Sequence, residues 1–182
     1  MARLVEALVP EMASLWRAGV VAAVALAAIV IEAAPVGVAP TALPSPDLVL
    51  AVAAVAAVRR PDCMLIPMVF AVGLTRDLVT DVPTGLGALA LVLAVEVVRA
   101  RAAVLARGSL WGEWLFFAAV ALGVAALQYL GTLIMLAQPP YVMAVVRQWV
   151  LTVACWPLAL LVMRWAAGIR HTPPAKGTPH GQ

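Results

Sequence analysis

Charge is scarce in this sequence: Asp, Glu, Lys and Arg make up 12% of 182 residues, against about a quarter in an ordinary soluble domain. Histidine occurs only as His171 and His180, both close to the C-terminus. That removes Ser-His-Asp and Cys-His catalysis from the body of the chain. Cysteine is limited to Cys63 and Cys155, with no CxxC spacing, so neither a disulfide framework nor a metal site is expected. No glycine-rich phosphate loop is present, because Gly85 and Gly87 fall on a turn between two apolar runs. The arginines sit between apolar runs rather than on one face, so the net charge of +3 is not the footprint of a nucleic-acid binder. The chain reads as non-enzymatic, with no cofactor.

Hydrophobic residues are abundant instead. They form 65% of the chain and raise the mean hydropathy to +1.04. A chain of 19.0 kDa cannot hide that much Ala, Val and Leu in one soluble core. An all-α polytopic membrane protein follows, as one transmembrane domain over residues 1–169. Its spans fall at about residues 15–34, 46–58, 62–80, 84–98, 114–137 and 141–165. The second and fourth are short for a bilayer of roughly 30 Å. Ser45 and Pro46 read as N-cap and first residue of the second helix. Residues 170–182 are rich in Pro, Gly and polar groups and read as a disordered cytoplasmic tail.

The basic residues set the orientation. Every Lys and Arg except Arg76 and Arg147 lies at or before the start of the first span, between spans two and three, between four and five, or at or beyond the end of the sixth. By the positive-inside rule both termini of this multi-pass chain are cytoplasmic. A cleaved signal peptide is the competing reading of the first segment. The "VIEAAP" context and Glu32 argue against cleavage. The basic cytoplasmic connections suit anionic lipid as well as protein.

Glu32, Asp47, Arg76, Asp77, Asp81 and Arg147 then gather near the outer side. Charges at that depth face the protein interior and pair, or snorkel to the headgroups. Arg76 and Asp77 are sequence neighbours and point about 100° apart on a helix. Arg76 is therefore expected to meet Glu32 or Asp47, and Asp77 to meet Arg147. The set is either structural or a binding cluster for a partner. Rows of small residues, Gly19/Ala23/Ala27, Ala53/Ala57 and Ala119/Gly123, favour close helix packing, inside the protein before a partner. Pro67 and Pro157 are expected to kink the third and sixth spans, freeing carbonyls. Trp16, Trp111, Trp114, Trp149 and Trp165 suit membrane interfaces, whereas Trp156 lies deep.

The stretch "GLTRDLVTDVPTGLGALAL" resembles the signature of the rod shape-determining protein MreD family, with Gly73, Asp77, Leu78, Pro83, Gly85, Ala88 and Leu89 at the family's positions. "LPSPDLVLAVAAVAAVRRP" is similar to the family's second span, and "CWPLALLVMR", with Trp156 and Pro157, to its last. Asp81 stands where a turn glycine is frequent, and Thr84 replaces a bulky residue. The resemblance implies a scaffold subunit of the cell-wall elongation complex that maintains rod shape, set in the bacterial inner membrane and crossing it several times. Its partners would be the single-span MreC, the RodA polymerase with its penicillin-binding transpeptidase, and, directly or indirectly, the actin-like MreB. The family is also distantly similar in fold to the six-span substrate-binding subunits of energy-coupling-factor transporters. A vitamin-type transporter subunit is thus the rival function, and it calls for a polar, aromatic-lined outer cavity. The outer loop at residues 36–41 is apolar and short, and only Tyr129 and Tyr141 offer aromatic rings there. The scaffold is preferred, with the Gly73–Asp77 hairpin either holding the fold or docking the MreC helix.

Overall fold

The computed structural model describes residues 2–33, 45–80, 83–135 and 140–166, with side chains omitted for 2–15 and Asp62. Asp81, the 36–41 loop and the 170–182 tail therefore lie outside the described residues. The chain is all-helical: α1 Ala2–Ala33, α2 Leu48–Arg59, a 3-10 turn at Pro61–Cys63, α3 Ile66–Val79, α4 Leu86–Leu105, α5 Leu110–Ile134 and α6 Val142–Ala166. Three of these helices are long and apolar enough to cross a bilayer, namely α1 over Trp16–Ala33, α5 and α6. This is a membrane protein.

The helix ends explain most departures from the expected boundaries. The first helix starts at Ala2, ahead of its apolar stretch Trp16–Ala33, since residues 2–9 are mostly Ala, Leu, Val, Arg and Glu, with no Gly or Pro. The fourth continues past residue 98 to Leu105, through Arg99 and Arg101. Arg99 pairs with Glu96 one turn back at 2.6 Å. The second helix is capped by Asp47, not Ser45, because the Asp47 carboxylate accepts the Leu50 N–H at 2.8 Å. Pro67 lies in the first turn of α3, where no intrahelical donor is lost, so the cause of the expected kink is missing there. Pro157 does lie inside α6.

Length and burial divide the helices into two kinds. α2 has 12 residues, about 18 Å, and all of Val49–Val58 is buried. It is apolar on every side because it packs against α1, α4 and α6 on every side. α5 and α6 have 25 residues each and keep only a narrow buried stripe. Their outward faces carry Leu115, Leu122, Leu130, Val150, Leu158 and Leu161, which lipid can cover.

Two indoles stitch α5 to α6. The missing N–H of Pro157 leaves the Val153 carbonyl without its helical donor, and Trp114 Nε1 donates to it at 3.1 Å. Trp149 Nε1 donates in return to the Ala118 carbonyl at 3.0 Å. Trp114 and Trp149 are thus inter-helix ties. Trp156 is buried as expected and meets Phe117 at a ring separation of 6.5 Å. The small-residue rows divide as well. Ala53 and Ala57 are buried within the bundle, whereas Gly19, Ala23 and Ala27 on α1 and Ala119 and Gly123 on α5 face outward. A Cβ added at Gly19 or Gly123 meets nothing within 4 Å. Internal packing does not explain those two rows.

Candidate functional site

Helix termini supply the starting chemistry. The first N–H groups of a helix have no intrahelical acceptor, and in an apolar bundle no water replaces one. At the start of α2 two carboxylates serve. Val49 N–H donates to Glu32 Oε1 at 3.0 Å and Leu50 N–H to Asp47 Oδ1 at 2.8 Å. The other oxygen of each carboxylate takes Arg76. Its Nε donates to Glu32 Oε2 at 2.9 Å, and its Nη1 lies 3.0 Å from Asp47 Oδ2. Asp47 N–H also donates to Thr152 Oγ1 of α6 at 2.8 Å. One guanidinium therefore joins α1, α2 and α3. Arg76 meets both partners expected for it.

Asp77 does something different from its expected role. It is buried, and its Oδ2 accepts Gly85 N–H at 2.9 Å and Ala88 N–H at 3.0 Å. The N-cap of α4 is Gly85, with φ +94°, which glycine reaches without steric cost. Gly85 has no side chain to cap the helix, and Asp77 supplies that acceptor from α3. The expected Asp77–Arg147 pair does not form. Arg147 is exposed on α6, because backbone N–H groups already satisfy Asp77.

The glycines of this hairpin are set by contact distance. A Cβ at Gly73 would sit 2.6 Å from Ala88 Cα, and one at Gly87 would overlap Asp77 Oδ1. Gly73 thus lets α3 and α4 meet backbone to backbone, and Gly87 leaves room for the capping carboxylate. Pro83 begins the turn, its carbonyl accepting Leu86 N–H at 3.1 Å.

The opposite end of α2 holds a pair that sequence reasoning did not single out. Arg59 Nη2 lies 2.7 Å from Glu113 Oε2, and both side chains are largely buried. Glu113 Oε1 is buried without a hydrogen-bond partner among the described residues. The available signal was Ser109 four residues before Glu113. Ser109 caps α5 by accepting Gly112 N–H at 3.1 Å, which places Glu113 inside a helix rather than in a loop.

Beside the Arg76 cluster lies a cavity of about 480 Å³, within the usual size of small-ligand pockets. Glu32, Asp47 and Arg76 form one wall. Gln128, Tyr129 and Thr132 come from the end of α5, and Gln148, Trp149 and Thr152 from the start of α6. The residues drawn together here come from the end of α1, the start of α2, the end of α3, the turn into α4, the end of α5 and the start of α6. Successive helices therefore alternate in direction. Tyr129 lines the cavity, whereas the exposed Tyr141 is not among its lining residues. Trp156 and Pro157 lie away from it on α6, and their freed carbonyl is taken by Trp114. Among the described residues no group of His, Cys, Asp and Glu could hold a metal ion.

Comparison with known proteins adds no relative. No family model matches the chain, no curated protein does, and no solved structure does.

Proposed function

We propose that this chain is a non-enzymatic scaffold subunit of the bacterial cell-wall elongation machinery, as its resemblance to the rod shape-determining protein MreD family implies. In this reading it crosses the inner membrane six times with both termini cytoplasmic. Its Arg59–Glu113 end faces the cytoplasm and its Arg76 end faces outward. It takes the transmembrane helix of an MreC-like partner on the outer face of α1, within reach of RodA and its transpeptidase, and couples directly or indirectly to MreB.

One observation carries the choice of face. The motif residues Gly73, Asp77 and Gly85, together with Gly87 beside them, are consumed by the α3–α4 hairpin, and Glu32 and Arg76 by the start of α2. Among the described residues the rows Gly19/Ala23/Ala27 on α1 and Ala119/Gly123 on α5 are left uncovered, and the α1 row is the longer. Rows of this kind let a second backbone approach, where packing replaces the absent hydrophobic drive between helices in lipid. The cavity favours a second reading, the substrate-binding subunit of a small-molecule transporter.

Gentle-detergent purification of the tagged chain, with mass spectrometry of bound proteins and solutes, separates the two. The scaffold predicts near one-to-one co-elution of a single-span extracytoplasmic protein. Gly19→Leu with Ala23→Leu should reduce that co-elution at least several-fold at an unchanged unfolding midpoint. An ATPase module with a bound vitamin-like solute, and no wall-synthesis partner, would sink the scaffold.

A further inference from the structure

The cavity between α5 and α6 has a chemical character of its own, separate from the scaffold role. The carboxylates of its charged wall are already occupied. Every oxygen of Glu32 and Asp47 is taken by Arg76 or by a backbone N–H of α2. The cluster sums to one negative charge, set against roughly half a positive charge at the start of α2. An anion would meet a net negative wall. A cation would find both carboxylates occupied, and would lose its hydration without gaining a free counter-ion.

The other side chains that line the cavity are neutral. Thr152, Thr132 and Thr80 bond to backbone carbonyls and Trp149 Nε1 to Ala118. The side-chain amides of Gln128 and Gln148 and the hydroxyl of Tyr129 have no hydrogen-bond partner among the described residues, and all three line the cavity half-buried. A primary amide both donates and accepts. Two amides from facing helices thus offer paired edges to a group that also does both, which a carboxamide does. Ala121, Val124 and Leu50 add buried apolar surface, and Trp149 and Tyr129 line the cavity as well. That combination suits a flat ring better than a flexible chain.

We propose that this cavity binds an uncharged compound bearing a carboxamide on a flat ring, held by Gln128 and Gln148. The site works whether the chain is a scaffold that responds to a ligand or a transport subunit.

The test uses the full chain in nanodiscs and three probes on one ring: nicotinamide (neutral), 1-methylnicotinamide (cationic) and nicotinate (anionic). Ligand-observed NMR titration should give saturable nicotinamide binding at least tenfold tighter than either ion. The Gln128→Leu/Gln148→Leu variant should weaken it at least tenfold. Ala125→Phe, which fills the cavity from α5, should abolish it; for each variant an unfolding midpoint checks the fold. Absence of saturable nicotinamide binding, equal or tighter binding of an ion, or indifference to a folded variant of either kind overturns the proposal. Partner co-elution is read independently, so failure here leaves the scaffold reading standing and failure there leaves this one standing.

Discussion

The two ends of α2 are fastened by different means. At its start every carboxylate oxygen of Glu32 and Asp47 has a partner, and the single cation of Arg76 spans both. At its end one arginine, Arg59, meets one carboxylate, Glu113, and leaves Glu113 Oε1 unpartnered. The start of a helix presents bare N–H groups, so acids belong there and a cation must then balance them. The end presents bare carbonyls, and a basic residue in the last turn needs only one counter-ion. A short helix buried on all sides can be held in an apolar bundle because its polar ends are answered by side chains from α1, α3 and α5. The start also adjoins the cavity, so its residues meet both the fold and a ligand-sized space.

Breaking the start should cost most. Arg76→Leu strands two buried carboxylates, and a loss of about 3–5 kcal/mol follows from removing one partner of a buried ion pair. Reversible unfolding in mixed micelles reads it. Next comes the α3–α4 contact. Gly73→Val drives a branched side chain into the Ala88 backbone, and overpacking of this kind costs about 1–3 kcal/mol. The same titration should show it, with Gly73→Ala less severe than valine. Glu113→Gln at the other end keeps an acceptor for Arg59 and removes the charge. Its expected loss is about 1–2 kcal/mol, near the difference between a charged and a neutral hydrogen bond. An equal loss at Arg76→Leu and Glu113→Gln would erase the contrast between the ends. The smallest effect belongs to Arg147→Ala, which should leave the unfolding midpoint in place because Asp77 is capped by backbone. A large drop there would restore the ion pair that the geometry replaces with a helix cap.

These contrasts follow what the sequence makes visible. Helical class and apolar segments are legible from hydropathy, and the Gly73–Asp77 hairpin from spacing, since one turn separates the two and a Pro-Gly turn follows. Arg76 is legible because a buried cation needs an acid and few acids exist. Asp77 is not, since charge bookkeeping proposes a cation, whereas the answering groups are backbone N–H donors that the residue names do not reveal. α2 looks too short for a span because length is judged against a bilayer, and this helix is solvated by protein instead. The cavity is missed for a related reason. Among the described residues its walls come from helix ends, with Gln128 and Gln148 as uncharged polar residues inside apolar runs. The outward-facing row on α1 cannot be told from the buried row on α2 by composition, because both are small residues at four-residue spacing.

The most direct test of this account is a double-mutant cycle between Glu32 and Arg76, with Glu32→Gln, Arg76→Leu and the double variant unfolded reversibly in mixed micelles. The account predicts a coupling of about 1.5–3 kcal/mol, toward the upper end for residues that share a buried network. Additivity within about 0.5 kcal/mol would contradict it, because the two side chains would then not hold the start of α2 together.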